Sequence, residues 1–243
     1  MNILQTIKKK KRMSLINKVA AIIGSKKSLD EVTYLDNMVS YDDTISILDI
    51  SLSSIIPPPP ENSSLVTEKE IANIAKVTKS RSNQELDLIV TVDKDPLELF
   101  YNYMYGKGMK FPKTKFLDYY NILEQYVYAL KYRYNRARPN QLAPYYDVDI
   151  QVLGTKTHHT PAYPSGHTMY SELAAKIASE EYPEHEKAFF KLSNYCGFAR
   201  ILQGVHYESD NKASKVVVDK LYPLIKEYIN EQDNKEFPSY RRT

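Results

Sequence analysis

The expected fold of this chain is decided by residues 116–139, FLDYYNILEQYVYALKYRYNRARP. Apolar side chains recur there close to the i, i+3, i+4, i+7 spacing of a helix with one buried face. They are Phe116, Leu117, Tyr120, Leu123, Val127 and Leu130. The pattern predicts a long tyrosine-rich helix that carries Lys131 at its C-terminal end. Pro139 disfavours helical geometry at Arg138, so we expect Arg138 where the chain leaves this helix.

Further helices are predicted on both sides of this stretch. Ser64 and the following acidic residues suggest a helix start. Three more helices are indicated: one begins directly after Pro164, one covers residues 188–202 and one covers residues 216–228. The apolar run 86–92 is compatible with either a strand or a buried helix, and residues 139–164, with four prolines, suggest a long functional loop. We therefore predict an all-α helical bundle.

Charge divides the chain into two parts. Residues 1–29 contain eight basic side chains and no acidic one, which leaves 25 basic and 30 acidic residues in the remainder. We expect residues 1–30 to be a basic, loosely ordered arm and residues 31–243 a single α-helical domain, with its motifs in residues 110–230. The acidic body gives no reason to expect a nucleic-acid partner. The basic block Lys8–Arg12 allows weak contact with a membrane surface.

Other features bear on the compartment of the protein. Cys196 is the only cysteine, which excludes an intrachain disulfide. No apolar run approaches the roughly 20 residues that span a bilayer, and the N-terminus lacks a convincing export signal. We expect a soluble protein, cytoplasmic or virus-encoded rather than exported. An oligomer is compatible with the sequence.

The second of three motifs is Pro164-Ser165-Gly166-His167. Glycine lets backbone approach an oxyanion closely. The N–H groups at a helix start, together with the helix dipole, favour an anion there. Ser165, Gly166 and the first-turn His167 are therefore expected to lie beside a bound anion.

The third motif is Arg200-x5-His206-x3-Asp210. Residues four apart share one face of a helix, so Asp210 is expected to accept from Nδ1–H of His206 and to leave Nε2 bare. The guanidinium of Arg200 suits two phosphate oxygens. The first motif, Lys131-x6-Arg138-Pro139, adds two more cations to this set.

Three other histidines are weaker candidates. His158 and His159 are adjacent in the predicted loop, but no ligand cluster accompanies them, so we predict no metal site. His185 stands between two glutamates and is expected on a helix surface.

The three motifs resemble those of the superfamily that unites class A bacterial acid phosphatases, lipid phosphate phosphatases of the phosphatidic acid phosphatase type and vanadium-dependent haloperoxidases. Its pattern is K-x6-RP, PSGH and SR-x5-H-x3-D, and only Ala199 departs from it, in place of the serine. The four prolines at 57–60 make the resemblance strongest to the soluble class A acid phosphatases. The superfamily fold is an α-helical bundle of the acid phosphatase and vanadium haloperoxidase type.

The resemblance implies a metal-independent phosphomonoesterase that is inhibited by vanadate and acts on a small phosphorylated substrate. By this resemblance His206 attacks phosphorus to form phosphohistidine, Asp210 orients His206, and His167 is the general acid and base. The implied phosphate-binding residues are Lys131, Arg138, Ser165, Gly166 and Arg200. No cofactor is expected.

Two alternatives remain open. The same anion site suits a vanadate-dependent haloperoxidase-like enzyme, the one reading in which vanadate is a cofactor. A non-catalytic anion-binding or structural module on the same fold is the other. The superfamily serine is not the nucleophile, so by the resemblance Ala199 is expected to tune anion binding rather than abolish the chemistry.

Overall fold

The computed structural model describes residues 27–36, 44–45, 47–155 and 157–236. Most of the predicted basic arm, residues 1–26, therefore lies outside the described residues. The α-helices of the described residues are α1 Leu52–Ile55, α2 Leu65–Val77, α3 Asn83–Lys94, α4 Glu98–Tyr105, α5 Lys113–Tyr134, α6 Pro139–Leu142, α7 Gly166–Glu181, α8 Glu186–Leu202 and α9 Glu208–Glu236.

Strands contribute little to the described structure. β1 (Thr44–Ile45) pairs antiparallel with β2 (Ile50–Ser51), and three short 3-10 turns cover Leu29–Glu31, Ala143–Tyr146 and Pro183–His185. The predicted all-α class is confirmed.

Local capping explains where several helices begin and end. The Ser64 hydroxyl accepts the backbone N–H of Thr67 at the start of α2, and Ser82 forms a reciprocal capping box with Glu85 at the start of α3. The ambiguous run 86–92 lies inside α3 and is therefore helical. Helix α5 ends at Asn135, whose φ of 43° is left-handed, a conformation that asparagine tolerates better than most residues.

The buried face of α5 differs by a small rotation from the predicted one. Leu117, predicted to be in the core, is 42% exposed. Tyr119 and Tyr126 are buried in its place. Positions 116, 119, 123, 126 and 130 form one continuous stripe at 100° per residue, and residue 117 lies outside it. The long helix was predicted correctly, and the error concerns only one edge of its apolar face.

Helix α7 lies at the centre of the bundle and packs against α5, α8 and α9. Its buried residues include Met169, Leu173 and Ile177, which join the largest apolar cluster of the described residues. Helices α3 and α4 pack on α8. The start of α7, the end of α5 and the start of α9 consequently meet at one end of the bundle.

The segment 139–164 is only partly a loop. Pro139 is the first residue of α6, where its missing N–H is not needed. The Gln141 side chain accepts the backbone N–H of Arg138 at 2.8 Å, and a 3-10 turn follows directly. The prediction of a loop was wrong for residues 139–146, because a proline at the first helical position starts a helix rather than breaking one. Beyond this turn, the described residues up to 164 form no helix or strand.

Among the described residues, no helix combines the length and the apolar character that crossing a bilayer requires.

Candidate active site

His206 and Asp210 form a buried pair at the start of α9. His206 Nδ1 lies 2.9 Å from Oδ2 of Asp210, and the backbone N–H of Tyr207 donates to the same oxygen at 3.0 Å. His206 precedes the first residue of α9, so the expectation that both residues share a helix face was wrong. The contact forms because the carboxylate in the first turn of α9 reaches back over the helix start.

Arg138 determines which nitrogen of the His206 imidazole carries the proton when the site holds no phosphate. Its Nη1 lies 2.9 Å from Nε2 of His206. Because a guanidinium only donates hydrogen bonds, Nε2 must accept, and the proton of a neutral ring must be on Nδ1. The geometry therefore selects the tautomer that the sequence predicted, with the lone pair on Nε2.

Two backbone carbonyls just before α7 hold the cations of the first motif. The carbonyl of Pro161 accepts from Lys131 Nζ at 2.7 Å and from Arg138 Nη2 at 3.4 Å. The carbonyl of Thr160 accepts from Nε and Nη2 of Arg138 at 2.9 and 2.8 Å. Lys131 and Arg138 thus converge on one short segment of backbone.

Arg200 is held by three side chains, two of them distant in the sequence. Its Nη1 donates to Asp93 Oδ1 at 2.7 Å and to Gln203 Oε1 at 2.5 Å, and its Nη2 donates to Thr157 Oγ1 at 3.0 Å. The buried Nε of Arg200 has no hydrogen-bonding partner within residues 27–36, 44–45, 47–155 and 157–236. This N–H is a donor left available for an anion.

His167 lies in the first turn of α7, as predicted. Its buried Nε2 has no hydrogen-bonding partner in the part of the chain that the structure describes. Burial and then the charge of Arg200 lower the pKa of His167 well below its ordinary value, while Asp93 opposes this shift. A buried polar atom without a partner commonly marks a position where a ligand binds.

Mutual electrostatic influence joins the three motifs into one cluster. Burial, followed by the charges of Arg138, Lys131 and Arg200, lowers the pKa of His206 well below its ordinary value, and His167 contributes in the same direction. Burial also lowers the pKa of Lys131 strongly and that of Arg138 to about 10. An anion placed among these groups would reverse the repulsion between them.

Ser165 and Gly166 lie at the start of α7, in the predicted place. The Ser165 N–H is already used by the Ser214 hydroxyl at 2.9 Å, while its own hydroxyl accepts from Thr168 at 3.1 Å. A methyl group on Gly166 would lie 3.9 Å from Cε of Lys131. Gly166 therefore lies beside a cation of the first motif, and the backbone N–H of Ser165 is not free for an anion.

Ala199, in the position of the family serine, is buried in an apolar cluster with Val92 and Cys196. Its methyl group continues the packing of α8 on α3. The contacts of this position are those of core packing.

The weaker histidines have local partners. His158 and His159 stack with ring centroids 4.8 Å apart, and His158 Nδ1 lies 2.7 Å from the carbonyl of Thr155. His185 ends a 3-10 turn directly before α8, with a partly exposed side chain and Nδ1 2.9 Å from the Tyr103 hydroxyl. No group of three or more His, Cys, Asp or Glu side chains within the described residues is arranged to hold a metal ion.

Sequence reasoning missed the acidic side chains that hold the cations. Asp93 lies 107 residues before Arg200, and Glu70 lies 66 residues before Arg136, whose guanidinium it contacts. Arg136 itself stands two residues before the motif residue Arg138, and that proximity was the one available signal.

Residues 116–217 match the PAP2 superfamily. Over 56 residues the chain is 38% identical to a non-specific acid phosphatase of Salmonella typhi, covering 23% of this chain and 22% of that protein. It is 36% identical over 56 residues to a non-specific acid phosphatase of Providencia stuartii, covering 23% of each. The chain therefore matches less than a quarter of the length of these curated relatives.

The PAP2 superfamily match over residues 116–217 confirms the resemblance that the three motifs indicated. The crystal structure of a transmembrane PAP2 type phosphatidylglycerolphosphate phosphatase from Bacillus subtilis is also similar, at 19% identity and a TM-score of 0.37. That similarity covers 69% of this chain and 79% of the other.

Proposed function

We propose that this protein is a metal-independent phosphomonoesterase that works through a phosphohistidine at His206. One observation carries the proposal: the buried imidazole of His206 has its proton held on Nδ1 by Asp210 and its Nε2 lone pair directed at Arg138. A nucleophile in the correct tautomer beside a fixed cation is what attack on a phosphate requires. The PAP2 superfamily match and the acid phosphatase relatives support the same reaction class.

The cations would bind the phosphoryl oxygens. Lys131 and Arg138 now donate to neutral carbonyls, and a dianion is a stronger acceptor than either. Arg200 has an Nε–H that none of the described residues accepts, which would serve the same purpose. Charge that develops on the equatorial oxygens during transfer would then be stabilised by three cations that are already in place.

In the first half-reaction, Nε2 of His206 forms a bond to phosphorus while the bond from phosphorus to the ester oxygen breaks. The departing oxygen takes a proton from the imidazolium of His167. Asp210 accepts from Nδ1 throughout and balances the positive charge on the phosphorylated ring.

In the second half-reaction, neutral His167 removes a proton from water as the water oxygen attacks phosphorus. The N–P bond breaks, its electron pair returns to Nε2 of His206, and orthophosphate leaves. His167 has regained its proton, so the cycle is closed without a metal or a redox step.

The buried positions of both imidazoles suggest an acidic optimum. His167 must be protonated at the start, yet burial and Arg200 lower its pKa. A substrate dianion raises that pKa again, so activity is expected to follow a bell-shaped profile with its maximum below about pH 6.5.

The test is hydrolysis of p-nitrophenyl phosphate with and without chelator. We expect wild-type activity to survive EDTA, and His206→Ala to lose roughly 10³-fold or more of kcat. His159→Ala, which changes an exposed histidine, is the matched control and should keep wild-type activity. Rapid quench with labelled substrate should trap an acid-labile, alkali-stable phosphoenzyme in the wild type alone.

Other outcomes would replace the proposal. Activity that EDTA abolishes would exclude a metal-independent reaction. Equal inertness of wild type and His206→Ala, together with orthophosphate binding, would favour an anion-binding module. Bromide oxidation by peroxide that needs added vanadate, without phosphatase activity, would favour the haloperoxidase-like alternative.

A further inference from the structure

Within the described part of the chain, Arg136 is the one buried cation near the site that the three motifs do not include. Its guanidinium is almost fully buried, and its Nη1 donates to Asp210 Oδ1 at 2.6 Å and to the Ser209 hydroxyl at 2.7 Å. Its Nη2 lies 3.4 Å from Oε2 of Glu70. The Tyr207 ring covers the guanidinium, with its centroid 3.8 Å from Cζ.

These contacts distinguish Arg136 from Lys131 and Arg138, and its second carboxylate and covering ring distinguish it from Arg200, which pairs with Asp93. Lys131 and Arg138 donate to neutral carbonyls that a dianion can replace, whereas Arg136 lies between two carboxylates and under an aromatic ring. A dianion would have to displace a charged partner to reach either Nη atom, and the Tyr207 ring covers the guanidinium whose Nε has no partner among the described residues. Arg136 therefore serves another purpose than phosphate binding.

The two oxygens of Asp210 have separate tasks. Oδ2 accepts from His206 Nδ1 and from the Tyr207 N–H, and Oδ1 accepts from Arg136. All three partners can donate, so the carboxylate must be ionised to accept from them all. Arg136 thereby fixes the rotation of the carboxylate and keeps Oδ2 in line with Nδ1.

Glu70 fixes Arg136 in turn. Oε1 of Glu70 accepts the backbone N–H of Ser209 at 2.6 Å, and Oε2 accepts its hydroxyl at 2.8 Å. A carboxylate at the N-terminal turn of α9 is also favoured by the helix dipole. Helix α2 is thus linked both to Arg136 and to Ser209, the residue before Asp210.

Resting on the proposed function, we infer that Arg136 is a positioning residue for the nucleophile: through Oδ1 of Asp210 it keeps the proton of His206 on Nδ1 and the lone pair on Nε2. Without Arg136, Oδ1 would be a buried acceptor without its charged partner. Once a bound phosphate has drawn Arg138 away from Nε2, a neutral Asp210 could donate its own proton to Nδ1, and His206 would then carry its proton on Nε2, where it cannot attack phosphorus.

The charges around Asp210 determine how the activity of an Arg136 variant should depend on pH. Burial raises the pKa of Asp210, and Arg136 is the strongest influence that opposes it. The other charged or titratable groups that interact with Asp210 or Arg136 are Glu70, Lys131, Arg138, Tyr163, His206 and Tyr207. None of the cations among them donates to Oδ1 within the described residues, so Arg136 is not duplicated.

The test compares Arg136→Gln, Arg136→Lys and Lys212→Gln. Lys212→Gln is the matched control, because it removes an exposed cation from the same end of α9. For Arg136→Gln we expect kcat to fall roughly 10²-fold with KM within about 3-fold, and the acid limb of the kcat profile to move to higher pH. Arg136→Lys should recover part of the loss, and inhibition by orthophosphate should change little in either variant.

A readout independent of catalysis keeps this inference distinct from the proposed function. Nitrogen-15 NMR of the five histidines, with His206 assigned by its alanine variant, reports the tautomer directly. With orthophosphate bound, when Arg138 no longer donates to Nε2, we expect Nδ1–H for His206 in the wild type and a shift towards Nε2–H in Arg136→Gln, whether or not the protein hydrolyses phosphate esters. If Arg136→Gln does not fold, Arg136→Lys carries the same comparison.

The inference is overturned if the tautomer and the pH profile of the folded Arg136 variants equal those of the wild type. A lower melting temperature with an unchanged tautomer would likewise show Arg136 to be only structural. An altered tautomer in a protein without phosphatase activity would uphold the inference and reject the proposed function.

Discussion

Nη1 of Arg138 lies 2.9 Å from Nε2 of His206, so a fixed cation donates to the nitrogen that is proposed to attack phosphorus. The same Nη1 donates to the carbonyl of Val205 at 2.6 Å. Arg138 therefore defines the tautomer of His206 and must also yield the lone pair when a phosphate binds. An incoming phosphate would supply acceptors for the guanidinium and release the imidazole in one exchange.

Replacement of Arg138 tests whether a phosphate takes the place of His206 as the partner of its guanidinium. Arg138→Lys keeps the charge but loses the planar set of donors that reaches Thr160, Val205 and His206 together. We expect kcat/KM for p-nitrophenyl phosphate to fall about 10²- to 10³-fold and orthophosphate inhibition to weaken in parallel. Arg81→Lys, a substitution of a half-buried arginine that donates to Leu202 and Gln151 carbonyls, is the control. A kcat/KM within about 3-fold of the wild type would contradict the role given to Arg138.

Stability should depend on pH through the two buried imidazoles. Burial lowers the folded-state pKa of both His167 and His206, so below about pH 6.5 the unfolded chain binds more protons than the folded one. The free energy of unfolding is expected to fall as pH falls from 7 to 5, by up to about 2.7 kcal/mol per pH unit.

Urea unfolding at several pH values measures this dependence. His206→Asn removes one of the two titrating groups and should flatten the curve, while His159→Asn, at an exposed position, should leave it unchanged. A wild-type curve that is flat between pH 7 and 5 would be inconsistent with buried neutral imidazoles. Orthophosphate should stabilise the protein more at pH 5 than at pH 7, since the bound dianion favours the protonated ring.

The charge of Asp93 is expected to tune the general acid. Asp93 raises the pKa of His167 against the stronger effects of burial and Arg200. Asp93→Asn keeps an oxygen acceptor for Arg200 but removes the negative charge. The alkaline limb of the kcat profile should therefore move to lower pH.

Asp87→Asn, on the exposed side of the same helix, is the control for this shift. Profiles of kcat against pH for the two variants and the wild type give the comparison. An alkaline limb in Asp93→Asn that coincides with the wild type, or moves to higher pH, would show that Asp93 does not act on His167.

Two glycines of the motif region should respond differently to alanine. Gly204 has a φ of +84°, and a methyl group there would lie 3.1 Å from Cγ2 of Ile150. Gly204→Ala is expected to lower the free energy of unfolding by about 1–3 kcal/mol. At Gly166 the nearest atom, Cγ1 of Val127, would be 3.4 Å away, which is ordinary contact.

Gly166→Ala is therefore expected to change stability by less than about 1 kcal/mol, and its effect should appear in phosphate binding instead. Thermal unfolding and the orthophosphate inhibition constant separate the two cases. A Gly166→Ala protein that is destabilised as much as Gly204→Ala would contradict the space that the structure gives this position.

The bundle was readable from the sequence because local rules acted in agreement. The apolar stripe of α5, the proline before α7 and the spacing of the three motifs each reflect interactions within a few residues. The predicted apolar face of α5 was wrong at Leu117. The helical spacing rule accepts this position as part of the face, but in the folded bundle Leu117 is 42% exposed.

The partners of the site could not be read in the same way. Asp93 and Glu70 lie on α3 and α2, and nothing in their neighbourhoods separates them from other acidic residues on helices. Their importance arises only when the fold brings them to Arg200 and Arg136. His206 shows the same limit, since the i,i+4 spacing predicted its contact with Asp210 while its place before α9 depended on where the helix starts.

The carbonyls of Thr160 and Pro161 precede His167 by only a few residues, so one short piece of backbone carries both the anchors of two cations and the proposed proton donor. Each residue inserted between them would lengthen that piece by up to about 3.5 Å, more than a hydrogen bond tolerates. The length of the segment is therefore as constrained as its composition. Variation in substrate preference should be sought in the more distant part of the connection, around residues 147–155, where insertions leave the spacing between anchors and acid intact.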